Sequence, residues 1–214
     1  MPATDATAKV QVFAWSDLAR RLRRHCSRCA LDLPRANHDT TRALNSHKMA
    51  PLKEGQAVWV MDSAIAKDNL YNIGHLVAID HANGKVTVET EANGKRQEIV
   101  VKIDEVHATN RGGDVPDHCQ LVHLSPPTLL ENTRVRFESD KIYTYVGDIL
   151  VAVNPFKWIT GIYDPSVMEA CKGKKLHNAS CGPHVFAIAE KAYVQMRKTQ
   201  KSQCVVVSGE SGST

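Results

Sequence analysis

The chain has 214 residues, of which 43% are hydrophobic and 23% charged, proportions that suit a globular protein with room for one large domain or two small ones. No run approaches the roughly 18 apolar residues that cross a bilayer, and the opening MPATDATAKVQVF lacks the apolar stretch of a secretory signal, so a cytosolic protein is expected. The net charge of +4 is uneven: residues 1–48 hold nine Lys/Arg against four Asp/Glu and the remainder 18 against 19, which leaves no case for the chain as a whole as a nucleic-acid binder.

Residues 1–50 read as a basic, poorly ordered extension. Within it Ser16 is predicted to cap a helix, DLARRLRRHCSRCAL, in which Leu18, Leu22, Cys26 and Cys29 recur at helical spacing between arginines. Such a basic amphipathic helix also suits a membrane-touching or transit-like segment. Met49 offers an alternative start. Cys26 and Cys29 form a C-x-x-C, but zinc needs four ligands and no second pair follows. All six cysteines are expected as free thiols.

From residue 53 to 107 the pattern changes to short β-rich runs: QAVWVMD, YNIGHLVAID, VTVET and RQEIVVKI. Asn83-Gly84 and Asn93-Gly94 separate them, and Asn-Gly supplies the positive φ angles of a tight hairpin turn. A small all-β barrel is predicted here. Residues 108–125 form a linker, broken by Gly112-Gly113 and Pro116, with His107, His118 and His123 solvated nearby.

The part spanning 117–214 is predicted as mixed α/β. Pro126-Pro127 open a helix, TLLENTRVRFE. IYTYVGDILVAVNP reads as two strands about Gly147-Asp148. Asp164-Pro165 start a short helix. Pro183 starts a longer one, with Val185, Ala189, Ala192 and Met196 on one face and His184 as a capping or packing residue. The apolar strand QCVVVS follows, then GESGST.

An apolar strand that runs into a Gly/Ser turn opens a phosphate-binding loop, whose full pattern is G-x-x-x-x-G-K-[ST]. Its glycines turn backbone N–H groups toward phosphates, the lysine neutralises them, and the hydroxyl binds magnesium. Gly209, Glu210, Ser211, Gly212 and Ser213 fit the first half. Thr214 stands where the second glycine is expected. On its own the stretch favours a bare turn.

Its company alters that balance. The run IYTYVGDILVAVNPFKW, IYDPSV, GPHVFAIAEKAYVQM, QCVVVSGESG resembles the myosin motor head in order and spacing. VWVMD…GKVTVET…GKRQEIVVKIDEVHATN resembles the Src-homology-3-like barrel that precedes many such motors. The resemblance covers about 55–212. It implies an α+β or α/β fold: a small barrel, then the truncated N-terminal part of a P-loop NTPase motor.

The resemblance also implies site residues. Asn154, Pro155, Phe156 and Lys157 match the segment lining the adenine pocket, and Tyr163 matches a tyrosine facing the base. Gly209, Glu210, Ser211, Gly212 and Ser213 match the start of the phosphate loop. Trp158 is expected as a core anchor. No catalytic group and no metal ligand falls within the chain. The implied ligands are ATP and Mg²⁺, with the magnesium-binding hydroxyl beyond residue 214. The implied partners are actin filaments and light chains, through regions not in this sequence, at the cytoplasmic cytoskeleton. Two other readings stay open: a barrel-containing interaction module with a vestigial motor remnant, and a protein directed by its basic helix.

Overall fold

The computed structural model describes residues 8–14, 52–60, 71–92, 94–110 and 112–209. The predicted helix of 16–31, with Cys26 and Cys29, lies outside them. In chain order the strands of the first half are β1 (Ala8–Ala14), β2 (Ala57–Val60), β3 (Asn72–Asp80), β4 (Lys85–Ala92), β5 (Lys95–Lys102) and β6 (Val106–Ala108). The second half holds α1 (Pro126–Glu138), β7 (Tyr143–Val146), β8 (Ile149–Asn154), α2 (Pro165–Cys171), α3 (Val185–Thr199) and β9 (Val205–Ser208). The chain divides into two units.

One unit contains a five-stranded antiparallel sheet in the order β5-β4-β3-β2-β6. Strand alternation explains its core. Val58, Val60, Leu76, Val86, Val88 and Val106 share one buried cluster, edged by Leu52, Ile79, Ile99, Val101 and Ile103. Ala92 pairs with Lys95, and Gly94 just before it takes φ +72°. The other Asn-Gly differs from the tight turn expected. Asp80 pairs with Lys85, which makes a four-residue loop. The Asp80 carboxylate accepts the Asn83 side-chain amide at 2.7 Å and the backbone N–H groups of Ala82 and Asn83 at 3.1 Å. These bonds, the Asn83 side chain first, hold its pKa below the usual carboxylate value.

Gly74 sits inside β3 because the neighbouring strand crosses it closely. A Cβ there would lie 2.4 Å from Val88 Cγ1 and 2.8 Å from the Glu89 carbonyl oxygen. Gly74→Ala is expected to cost this sheet about 1–3 kcal/mol through overpacking. The urea midpoint of Trp59 fluorescence, in a chain with Trp15 and Trp158 changed to Phe, measures it. An unchanged midpoint would contradict the close approach.

The other unit is built on a four-stranded sheet in the order β7-β8-β1-β9. β7 and β8 form an antiparallel hairpin over Gly147-Asp148. β1 runs parallel to β8, from Lys9 beside Ile149 to Ala14 beside Asn154. It also runs parallel to β9, from Ala8 beside Val205 to Gln11 beside Ser208. Ile142, Tyr143, Tyr145, Leu150, Ala152 and Ile188 form the core.

The helices begin near their sequence signals. α2 starts at Pro165, after Asp164. α3 starts one residue after His184, whose Nδ1 accepts the Phe186 N–H at 3.1 Å, as a cap does. The buried face of α3 is not the predicted one. Ala187 and Ile188 are buried, whereas Ala189 and Met196 are exposed. Apolar residues run unbroken from Val185 to Ala189, so periodicity alone does not choose a face. The contact of Ile188 with the tyrosine core does.

Two cysteines also differ from expectation. Cys171 and Cys181 form a disulfide, with Cα atoms 4.7 Å apart. The loop between them passes through Gly173 and His177, both at positive φ, and brings its ends together. Cys119 and Cys204 are free and exposed. No helix among the described residues is long and apolar enough to cross a membrane.

Candidate functional site

β8 ends at Asn154, and there the chain turns sharply outward. Asn154 Oδ1 accepts the Phe156 N–H at 2.9 Å, which closes an Asx turn. Phe156 takes φ +51°, a left-handed conformation unusual for a non-glycine residue, and its side chain is 70% exposed. Lys157 Nζ lies 2.5 Å from Asp140 Oδ1, an exposed ion pair that ties the segment to the end of α1. Trp158 is 86% exposed, so it is not a core anchor. The outward turn at Asn154 takes it away from the sheet.

Tyr163 returns the chain to the core while leaving its ring half exposed. Its hydroxyl lies 2.7 Å from that of Tyr143 on β7. The Tyr163 ring centroid is 5.8 Å from that of His184 and 6.3 Å from that of Phe186, the latter edge-on. Burial, then the hydrogen bond to Tyr163, pushes the Tyr143 phenol well above its ordinary pKa. Burial lowers the pKa of His184, opposed by the Ile162 backbone. A neutral imidazole is what lets Nδ1 accept the Phe186 N–H.

Tyr143, His184 and Asp140 therefore support the segment. Only His184 carried a sequence signal, as a helix cap. Tyr163→Phe leaves the Tyr143 hydroxyl without this partner and is expected to cost about 1 kcal/mol. Urea denaturation followed by the circular dichroism of this unit checks it, and a cost near zero would mean that water replaces the bond.

On the other side of β1, Ser208 ends β9 and Gly209 follows, both exposed. Glu210, Ser211, Gly212 and Ser213 lie outside the described residues. Since β8, β1 and β9 are mutually parallel, Asn154 and Ser208 mark carboxyl ends on one edge of the sheet. Asn154, Pro155, Phe156, Lys157 and Tyr163 thus gather at one strand end, and Gly209 stands at the strand beyond β1.

A polar cluster supports the hairpin and the preceding linker. Asn132 of α1 exchanges two hydrogen bonds with the Val115 backbone, at 2.9 and 3.1 Å. Arg136, 5% exposed, donates to Thr144 Oγ1 at 2.9 Å, to the Tyr143 carbonyl at 2.8 Å and to Asp114 Oδ1 at 2.8 Å. Lys141 also pairs with Asp114. Asp117 Oδ1 accepts the N–H groups of Cys119 at 2.9 Å and Gly147 at 3.1 Å. The Tyr145 hydroxyl donates to the Gly182 carbonyl at 2.9 Å, and burial, first among its causes, pushes its pKa up to about 12. His118 was expected in solvent. It is buried, with Nε2 3.4 Å from Thr133 Oγ1. Burial, then the nearby Arg136 charge, lowers its pKa to about 4, against a smaller pull from Asp117.

The β7–β8 hairpin, the helices and the parallel strands β8, β1 and β9 make a mixed α/β unit, and comparison with known proteins says which family it resembles. Residues 115–214 match the family model of the myosin head (motor domain). The chain is 39% identical over 163 residues to myosin heavy chain 95F of Drosophila melanogaster, a match that covers 76% of this chain and 12% of the relative. It is 37% identical over 164 residues to unconventional myosin-VI of Homo sapiens, with the same two shares of 76% and 12%. Over 100 residues, 47% of this chain and 4% of the relative, it is 48% identical to unconventional myosin-IXa of Mus musculus. The chain belongs to the myosin family, as an N-terminal portion of its motor. It spans about an eighth of the length of the first relatives, at 12%.

Proposed function

We propose that this chain is the nucleotide-binding opening of an actin-based motor that hydrolyses ATP, preceded by a Src-homology-3-like barrel. One observation carries the reading. Asn154 and Ser208, leading into the two matched segments, stand at carboxyl ends of parallel strands on one sheet edge. That edge is where open α/β sheets take ligands.

The residues present fit the base half of ATP. Phe156 and Tyr163 offer exposed aromatic faces beside an Asx turn, suited to a planar base. In this reading Asn154, Pro155, Phe156, Lys157 and Tyr163 orient the adenine, while Gly209, Glu210, Ser211, Gly212 and Ser213 begin the phosphate cradle. Bound Mg-ATP supplies the phosphoryl group for transfer, and this chain's residues only bind and orient it. Lys157 is engaged by Asp140. The lysine and the magnesium-binding hydroxyl of G-K-[ST] are not among the 214 residues. The separately cored five-stranded sheet supports the barrel assignment. Actin, light chains and a cytoskeletal location in the cytoplasm would come through other parts of a full-length protein.

The 214-residue chain is accordingly expected to show no micromolar ATP binding by titration calorimetry. The transcript is expected to read past the codon for Thr214 into Gly-Lys-Thr, and its longer product to hydrolyse ATP faster with actin. A transcript that stops at Thr214 would overturn the motor reading for this product. The barrel would then be the part to test for protein binding.

A further inference from the structure

A covalent bridge closes the stretch of chain that runs from Tyr163 back to His184. Tyr163 is followed at once by Asp164 and the seven-residue helix α2, which ends at Cys171. A largely exposed loop leads on to Cys181, and His184 follows three residues later. The Tyr163 and His184 rings then meet, with centroids 5.8 Å apart. The Cys171–Cys181 bond lies inside this closed path.

Little else holds α2. A helix of seven residues is too short to be stable by itself, and Cys171 is its only buried residue. Between α2 and α3 lies a cleft of about 290 Å³, bounded by Met168, Cys171, Phe186, Ala189 and Tyr193. Beside it Glu190 of α3 accepts the Gly173 N–H at 2.9 Å. The far end of the loop is better seated. Leu176 packs on the tyrosine core, the His177 and Tyr145 ring centroids are 4.6 Å apart, and the Gly182 carbonyl takes the Tyr145 hydroxyl. The bridge thus fastens a loosely packed helix to a firmly seated loop end.

We propose that Cys171 and Cys181 are a thiol–disulfide switch: closed, the bridge holds α2 and Tyr163 in place beside His184, and open, it releases them. That the released segment receives a base rests on the nucleotide reading above; the switch itself does not. The chemistry is exchange with an anionic monothiol of the glutathione type. Its thiolate attacks the sulfur of Cys181, which is half-buried, rather than that of Cys171, which is 2% exposed. Cys171 leaves as a thiolate and takes a proton. A second thiolate attacks the glutathione sulfur of the mixed disulfide, Cys181 leaves and is protonated, and the two monothiols depart as their own disulfide. Two electrons and two protons pass to the bridge, and oxidised glutathione reverses both steps. Lys174 and Lys175, exposed in the loop, favour the approach of an anionic thiol.

The test compares the 214-residue chain in reduced and in oxidised glutathione, without nucleotide. Alkylation with mass spectrometry reads the bridge, and amide hydrogen exchange reads the segment. The bridge should be closed in the oxidised buffer and open in the reduced one. Opening should speed exchange over 168–173 about tenfold or more, with 149–154 and 72–102 unchanged. Cys171→Ala with Cys181→Ser should exchange like the reduced chain in both buffers, and a redox response that survives in it overturns the proposal. If that variant does not fold, the unmutated chain in the two buffers decides alone. A bridge absent in the oxidised buffer, a bridge that persists in the reduced one, or opening that leaves 168–173 unchanged each overturns the proposal. So does loss of protection across 149–154 on opening, which makes the bridge a staple of the whole unit. A chain that never binds ATP leaves this result standing, and a bridge that never opens leaves the nucleotide reading standing.

Discussion

Arg136→Leu should lower the stability of the myosin-head unit by about 3 kcal/mol. The reason is what the guanidinium leaves behind. It supplies hydrogen bonds to Thr144, to the Tyr143 carbonyl and to Asp114, from a nearly fully buried position. Removing one member of such a pair strands its partner, at a cost of about 3–5 kcal/mol. The lower end applies here because Asp114 is a third exposed and keeps Lys141. Burial lowers the Arg136 pKa, with Asp114 opposing, so the charge is tolerated through its partners rather than favoured by its site. Urea denaturation of the variant measures the loss. A loss below about 1 kcal/mol would mean that water reaches the cluster.

The second large effect is a loss of stability in mild acid, traced to His118. Its pKa is about 4 in the folded chain, against about 6.5 unfolded. The unfolded chain therefore binds the proton first as pH falls. The stabilisation from keeping His118 neutral is complete above about pH 6.5 and is lost progressively down to about pH 4. Its full size is about 3 kcal/mol. Wild type should thus lose about that much stability relative to His118→Gln as pH is lowered from 7 to 4. Parallel profiles over that range would show that His118 does not titrate in this way. Because the Arg136 charge helps to depress the His118 pKa, Arg136→Leu should raise that pKa toward its unfolded value and so shrink the acid-linked loss of stability.

Much of the second half is legible because its signals are local. A β-branched, aromatic run about Gly147-Asp148 has few alternatives to a hairpin. Pro165 at the first turn and His184 as a cap mark helix starts through local chemistry that needs no distant partner, although the Asp164 side chain makes no cap hydrogen bond. What escaped depends on distant partners. His118 looked like a linker histidine, yet Asn132 and Arg136 of α1 tie the linker to the helix through Val115 and Asp114, and His118 is buried against Thr133. Trp158 looked like core because tryptophan usually is, but the Asx turn at Asn154 directs the chain outward. The Cys171–Cys181 bridge depends on the path of the loop between them, which spacing does not encode. β1 did carry a signal, since Lys9, Val10, Gln11, Val12 and Phe13 nearly alternate. The arginine-rich stretch after it drew the whole segment into one basic extension.

The place of β1 in the sheet has a kinetic consequence. Ala8 pairs with Val205, so β1 leaves the ribosome long before its partner β9 is made. At about 5–20 residues per second, that wait is on the order of tens of seconds. Until β8 emerges an unpaired β-forming segment precedes the growing chain, its edge toward β9 stays open longer still, and closing so long a loop is slow. A nascent chain in this state is a natural client for holding chaperones, and shortening the wait by faster translation should raise its soluble yield.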